Sequence, residues 1–187
     1  MDNKKLIEFA IQVGTLKNIK RHGWVLKRIK NVESVADHIF RVALMTMIFS
    51  AGTKLDVNKM VRMALVHDIG EALVGDVIYE HGTKRIGPLK VKNADERNAV
   101  KEIFRDIENK KEYMSLWEEF VAQNSQEAQF VKRIEKLEMV IQALEYQKHG
   151  YDSDLFDEFW ENAQKYIKGT EFENILQELE IKRRELT

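Results

Sequence analysis

The sequence contains no cysteine and only one proline, and neither sign of charge dominates it. Without cysteine there is no disulfide framework and no thiolate metal site, so any metal must be bound by His, Asp, Glu and water. The net charge of −1, with no basic block, argues against a broad surface for a nucleic acid polymer. No apolar run reaches the length of a membrane span or of a signal-peptide core. We therefore expect a cytoplasmic protein with no membrane partner.

The scarcity of proline also bears on the fold. The glycines fall between segments with helical spacing, and no alternating strand pattern is sustained. At 187 residues, with 44% hydrophobic and 33% charged side chains, the chain is long enough to bury a core and does not have a disordered composition. We predict an all-α, single-domain helical bundle over residues 1–187.

Apolar stripes place the individual helices. Asp56 and Ser125 are predicted N-caps, and the helix after Ser125 has apolar residues on two sides, which indicates a central helix or one covered by a partner. The polar stretch Tyr79–Leu89 contains two glycines and the proline, which predicts a long loop and a candidate lid. The helices are predicted over residues 4–17, 33–50, 57–70, 91–109, 113–122, 126–149, 155–167 and 171–184.

The stretch LVHDIGEALVGDV places four ionisable groups in a run that otherwise resembles buried core. His67 and Asp68 are adjacent, Glu71 follows one helical turn later, and Asp76 follows a glycine. Charged groups are rarely buried unless they are paired or bind a metal. The stretch therefore predicts a site for a divalent metal ion and a phosphate substrate.

A metal between His67 and Asp68 needs ligands from other helices, because adjacent side chains on a helix diverge by about 100°. His38 is the only other histidine on a predicted buried stripe. Neutral imidazoles and carboxylates suit Zn²⁺, Mn²⁺, Fe²⁺, Co²⁺ or Ni²⁺. Glu71, four residues after His67, is placed where a general base for hydrolysis is useful.

Each of these residues also has an ordinary structural interpretation. An adjacent His-Asp pair often arises by chance, and a lone histidine such as His38 is more often a satisfied core residue. Glu71 could be a solvated residue at a helix end, and Asp76 could be a turn or N-cap residue. Three further residues that are considered below also have ordinary interpretations: Arg21 as a surface cation, Trp24 as a core or interface residue, and Glu135 as part of a helix salt bridge with Lys132 or Lys136.

The order of these motifs resembles the HD-domain phosphohydrolase superfamily. The resemblance is carried by ESVADH at Glu33–His38, MALVHDIGEALVGD at Met63–Asp76 and KRIEKLEM at Lys132–Met139. RHGWV at Arg21–Val25 and QALEY at Gln142–Tyr146 make the sequence most similar to the 5′-deoxynucleotidase branch, with the oxetanocin-type phosphohydrolases more distant. The motifs span about residues 16–146, and we expect the C-terminal helices, residues 153–185, to pack on this core.

The resemblance implies one divalent transition-metal ion per chain. The family's two histidines and its HD aspartate match His38, His67 and Asp68, and its late aspartate matches Glu135, which is one methylene longer. The other roles that it implies are catalysis by Glu71 and Asp76 and phosphate binding by Arg21, and we expect Trp24 to line the substrate pocket.

The resemblance also implies an activity and an assembly. The expected reaction is the hydrolysis of deoxynucleoside 5′-monophosphates to a deoxynucleoside and phosphate, catalysed by a homodimer. Two alternatives stay open. One is an HD phosphohydrolase that acts on a nucleoside triphosphate or a signalling nucleotide, and the other is a regulatory protein that binds metal or nucleotide without turnover.

Overall fold

Helices dominate the computed structural model, which describes residues 2–76, 80–81, 84–85 and 89–186, with side chains for residues 2–76 and 94–186. The all-α prediction is confirmed, with one short antiparallel pair, β1 (Glu80–His81) and β2 (Lys84–Arg85), added to it. The helices are α1 (Asn3–Gly14), α2 (His22–Leu26), α3 (Val35–Phe49), α4 (Val57–Val66), α5 (Glu71–Val74), α6 (Leu89–Ile103), α7 (Lys110–Ala122), α8 (Gln126–Lys148), α9 (Asp157–Ile167) and α10 (Glu173–Glu185).

Side-chain caps fix where the longer helices begin. The side chain of Asp56 accepts a hydrogen bond from the backbone N–H of Lys59, and Ser125 accepts one from Ala128, as the sequence predicted for both caps. Ser34 begins α3 with a reciprocal capping box to Asp37. These caps fix where α3, α4 and α8 begin, and the apolar stripe of each helix then decides which residues face inward.

The core is built around α8. This helix packs against α3, α4 and α7 and also against the C-terminal helices α9 and α10. Its predicted two-sided apolar character therefore has a structural reason, since it is covered by other helices on opposite sides. Within the described residues, no helix has both the length and the apolar character needed to cross a bilayer.

Two local features differ from the sequence prediction. No helix was predicted between residues 17 and 33, where the short helix α2 lies, and α4 ends at Val66 instead of near Gly70. At Gly70 a Cβ atom would lie 3.1 Å from Val100 and 3.2 Å from the Glu96 carbonyl, so the missing side chain lets α6 approach closely. The predicted lid over Tyr79–Leu89 lies largely outside the described residues, apart from the β1–β2 pair.

Candidate active site

Two histidines from different helices meet in the core. His38 lies on α3 and His67 directly follows α4, with 5.4 Å between their ring centroids. The Nδ1 atom of His67 lies 2.6 Å from the Ala64 carbonyl oxygen, and that of His38 lies 2.5 Å from Oε2 of Glu138. An acceptor at Nδ1 places the ring hydrogen there and leaves Nε2 with a lone pair. Within the described part of the chain, both Nε2 atoms are buried and have no hydrogen-bond partner.

Asp68 completes this group. Its Oδ2 atom lies 3.1 Å from Nε2 of His67 and 3.8 Å from Nε2 of His38. Among the described side chains, ligand atoms of these three residues all lie within 4.8 Å of one another. Two unpartnered imidazole nitrogens and a carboxylate are the donors that a divalent transition metal requires. The arrangement is a possible metal site, and its residues fit the ion that the sequence predicted.

The protonation states suit this interpretation. Burial and the positive charge of Arg21 lower the pKa of His38, which keeps its imidazole neutral. Although burial opposes ionisation of Asp68, the neighbouring His67 and Arg21 hold the pKa of this carboxyl well below its usual range. For His67, burial favours the neutral ring, but Asp68 outweighs it and raises the pKa. A metal ion in the place of that proton would satisfy the same carboxylate.

Arg21 places a cation beside this group. Its Nη1 atom donates to Oδ2 of Asp68 at 3.2 Å and lies 4.0 Å from Glu71 and 3.9 Å from Asp76. Burial disfavours its charge, but the three carboxylates raise its pKa. Asp76 also accepts a hydrogen bond of 2.6 Å from the backbone N–H of His22, which ties it to the start of α2. The predicted phosphate-binding residue and both predicted catalytic carboxylates thus lie beside the possible metal site.

Glu135 lies at the edge of the site and is paired with two lysines. Its carboxylate lies 2.5 Å from Nζ of Lys132 and 3.0 Å from Nζ of Lys136. Burial opposes its ionisation, but the two lysines and then His67 lower its pKa, while Asp68 acts in the opposite direction. Glu135 is therefore close enough to interact electrostatically with His67 and Asp68. It is not a member of the group of three described side chains with ligand atoms within 4.8 Å.

Trp24 is placed in the core and is only 2% exposed. Its ring stacks on Phe159 at 4.1 Å between centroids, and its indole N–H donates to Oε1 of Glu33 at 2.8 Å. Its predicted place in the substrate pocket stays a prediction. The structure adds a second role, since Trp24 holds the buried Glu33 carboxylate, whose pKa is raised to about 8 by burial and by the charge of Glu138.

The sequence interpretation missed Glu138. This residue is fully buried and accepts hydrogen bonds from His38 and from Arg41. A signal for it exists in the sequence, because Glu138 lies on the apolar stripe of α8 between Ile134 and Ile141, at helical spacing. A carboxylate on such a stripe requires a partner from another helix.

Comparison with known proteins gives concordant matches. The HD-domain family model matches residues 13–180. The human protein named 5′-deoxynucleotidase HDDC2 is 34% identical over 182 residues, which cover 96% of this chain and 87% of the human protein. The Dictyostelium discoideum protein of the same name is 39% identical over 155 residues, covering 78% of this chain and 79% of that protein. A solved structure of a conserved hypothetical protein from Pyrococcus furiosus is 35% identical with a TM-score of 0.73, covering 95% of this chain and 99% of that chain. Every candidate site residue, from Arg21 to Glu135, lies within the matched segment.

Proposed function

Because the chain belongs to the HD-domain family, we propose that it is a metal-dependent phosphohydrolase that converts deoxynucleoside 5′-monophosphates to a deoxynucleoside and phosphate. The observation that carries the proposal is the meeting of two unpartnered imidazole nitrogens, the Asp68 carboxylate and the Arg21 guanidinium. The substrate class is supported by the similarity to relatives named 5′-deoxynucleotidase. In the reaction, the oxygen of water forms a bond to phosphorus and the bond between phosphorus and the 5′ oxygen breaks. The water gives up a proton, and the leaving 5′ oxygen gains one to become the nucleoside hydroxyl.

We propose that His38, His67 and Asp68 hold one divalent transition-metal ion, with Glu135 as the fourth protein ligand. Such an ion supplies Lewis-acid stabilisation of phosphoryl charge and activates water at neutral pH. The neutral imidazole of His38 and the ionised Asp68 are ready to ligate without first losing a proton. His67, whose pKa is raised by Asp68, would give up its proton when the ion binds. Co²⁺, Mn²⁺, Zn²⁺, Ni²⁺ and Fe²⁺ all suit this donor set.

The other residues act on the substrate and on water. Arg21 binds the phosphate, because its guanidinium presents several donors to the phosphate oxygens. It is held in place by Asp68, Glu71 and Asp76, which lie 3.2 to 4.0 Å from its Nη1 atom. Glu71 orients or deprotonates the attacking water. Asp76 positions that water or a sugar hydroxyl, and Trp24 lines the substrate pocket.

We further propose that the chain acts as one domain and as a homodimer. An exposed apolar stripe on α3 supports the dimer, since four large side chains lie along one face without cover in the described structure: Phe40, Leu44, Met47 and Ile48. Exposed apolar patches of this kind commonly mark interaction surfaces. The expected cytoplasmic location stays a prediction.

The test is phosphate release by the metal-free protein resupplied with single divalent metals, across deoxynucleoside and nucleoside monophosphates, a triphosphate and a signalling nucleotide. We expect the deoxynucleoside 5′-monophosphates to be cleaved fastest. Glu71→Ala should bind metal and nucleotide but lose roughly 10²–10⁴-fold in kcat. The exposed Glu161→Gln is the control for loss of one carboxylate. Faster cleavage of the triphosphate would replace the monophosphate as the proposed substrate. Nucleotide binding with no phosphate release in the presence of any metal would support a regulatory protein instead of an enzyme.

A further inference from the structure

The contact between α3 and α8 contains a buried ionic chain that the proposed chemistry does not use. His38 Nδ1 lies 2.5 Å from Oε2 of Glu138, and neither side chain has any exposed surface. The other oxygen of Glu138, Oε1, accepts a hydrogen bond of 2.8 Å from Nε of Arg41. His38 and Arg41 lie one turn apart on α3, so both face the same residue of α8. We name this set the His38–Glu138–Arg41 chain.

We propose that Glu138 is a positioning residue that keeps the hydrogen of His38 on Nδ1, so that Nε2 is free to bind the metal ion, and that Arg41 fixes Glu138 in this orientation. The inference rests on the metal site of the proposed function. Carboxylates that accept from the far nitrogen of a ligating histidine fix the ring orientation and raise its basicity. Here each carboxylate oxygen has one fixed partner, so Glu138 cannot rotate without breaking a buried contact.

The two histidines of the site are supported differently. His67 Nδ1 faces a backbone carbonyl, that of Ala64, which no substitution at a side chain can remove. His38 depends on a charged side chain from another helix. The tautomer of His38 is therefore open to change by mutation, whereas the ring of His67 serves as an internal reference in the same protein.

The substitution Glu138→Gln tests the tautomer because an amide has only one acceptor oxygen. Arg41 carries donors and no acceptor, so its guanidinium takes that oxygen. The amide NH₂ then faces Nδ1 of His38, which must become an acceptor and move its hydrogen to Nε2. The nitrogen that would bind the metal is thereby blocked, although the size of the side chain is unchanged.

A second substitution should reverse the effect. Arg41→Met removes the donors that hold the amide oxygen, so in the variant Glu138→Gln/Arg41→Met the amide can turn its oxygen to His38. We expect Nδ1 to regain its hydrogen and much of the metal affinity to return. A purely structural role for Glu138 predicts the opposite, because a second change in the same buried contact would then add to the damage.

Two measurements are made on the wild type and on each variant. Ring ¹⁵N chemical shifts of the metal-free protein report which nitrogen of His38 carries the hydrogen, with His67 as reference. Titration with Co²⁺ against a competing chelator gives the dissociation constant. For Glu138→Gln we expect the hydrogen of His38 on Nε2 and a loss of roughly 10–100-fold in Co²⁺ affinity. Glu145→Gln is the matched control, since Glu145 accepts from Arg41 at 2.8 Å but does not contact His38 in the described structure, and it should leave both readouts unchanged.

The outcomes separate this inference from the proposed function. An unchanged His38 tautomer and an unchanged Co²⁺ affinity in folded Glu138→Gln would overturn the inference while leaving the metal site intact. Wild-type protein that binds no Co²⁺ would overturn the proposed function, and the ¹⁵N result would still decide the tautomer. Should Glu138→Gln not fold, Glu138→Met/Arg41→Met replaces the ionic pair by apolar side chains, an exchange that buried pairs often tolerate. It removes the acceptor at Nδ1 without blocking Nε2, so the hydrogen of His38 should divide between the two nitrogens and the Co²⁺ affinity should fall. A hydrogen that stays on Nδ1 together with full affinity would refute the inference.

Discussion

Glu135 is the counter-ion of two lysines and the proposed fourth metal ligand, and one substitution tests both roles. Its carboxylate lies 2.5 Å from Nζ of Lys132 and 3.0 Å from Nζ of Lys136. The side chains of Glu135 and Lys136 are each 9% exposed, and that of Lys132 is 22% exposed. The sequence alone suggested, as the alternative to a ligand, an ordinary helix pair worth about 0.3–0.5 kcal/mol. Burial changes that magnitude, because Glu135→Ala leaves two ammonium groups without their carboxylate.

Removing one partner of a buried ion pair costs about 3–5 kcal/mol. In a protein of this size, each kcal/mol lowers Tm by about 2–4 °C. We therefore expect the metal-free Glu135→Ala variant to melt about 6–20 °C below the wild type. The pKa of Glu135 is lowered from 4.5 in the folded state, so this stabilisation is complete above about pH 4.5 and decreases as the pH falls further. Calorimetry of the metal-free proteins at pH 7 and pH 4 measures both effects.

The metal dissociation constant tests the ligand role separately. If Glu135 ligates the ion, Glu135→Ala weakens metal binding and activity together. Glu135→Asp, which restores the aspartate that the resemblance implies, should keep both and shift the metal preference because the side chain is shorter. A dissociation constant equal to that of the wild type for Glu135→Ala would remove Glu135 from the ligand set. A melting temperature within about 2 °C of the wild type would refute the counter-ion argument, since it corresponds to about 1 kcal/mol or less.

Further predictions concern the other charged groups of the site. His67→Ala or Asp68→Ala should abolish tight binding of one divalent ion per chain, and equal metal content by elemental analysis in wild type and both variants would show that the site is misassigned. Arg21→Ala should weaken binding of a 5′-monophosphate by calorimetry and leave metal content unchanged, and unchanged nucleotide affinity would place the phosphate elsewhere. Burial lowers the pKa of Lys136 from 10.5 to about 8. Between about pH 8 and pH 10.5, Lys136 is therefore protonated mainly in the unfolded chain, and the free energy of unfolding rises with pH. Urea unfolding at pH 8 and pH 10 should show this rise in wild type, and an equal rise in Lys136→Met would contradict it.

Much of the fold follows from local sequence signals, and the exceptions have physical causes. The caps Asp56 and Ser125 were predictable because a cap and its acceptor lie within one turn. Helix α2 was missed because five residues are too few to show a helical period. The end of α4 was predicted four residues late. The close approach of α6 at Gly70 was not predictable, because it is a tertiary contact.

The site shows the same division between local and distant information. His38, His67 and Asp68 were predictable as inward-facing groups because each lies on an apolar stripe or at its end. Glu138 and the partners of Glu135 depend on which helix faces α8, and a single stripe does not contain that information.

Part of the information about which helix faces α8 is present in the charged residues, once they are considered as pairs. A carboxylate on the apolar stripe of α8 requires a donor from the helix that covers it. On α3 the side chains three residues apart, His38 and Arg41, face α8, and on α8 the acceptors Glu138, Gln142 and Glu145 follow at intervals of four and three residues. Sliding either helix by one turn would leave a buried carboxylate opposite an apolar side chain, which costs more than an imperfect apolar contact. The buried ions therefore favour one axial position of α3 against α8, and through His38 they give the proposed metal site a defined depth in the bundle.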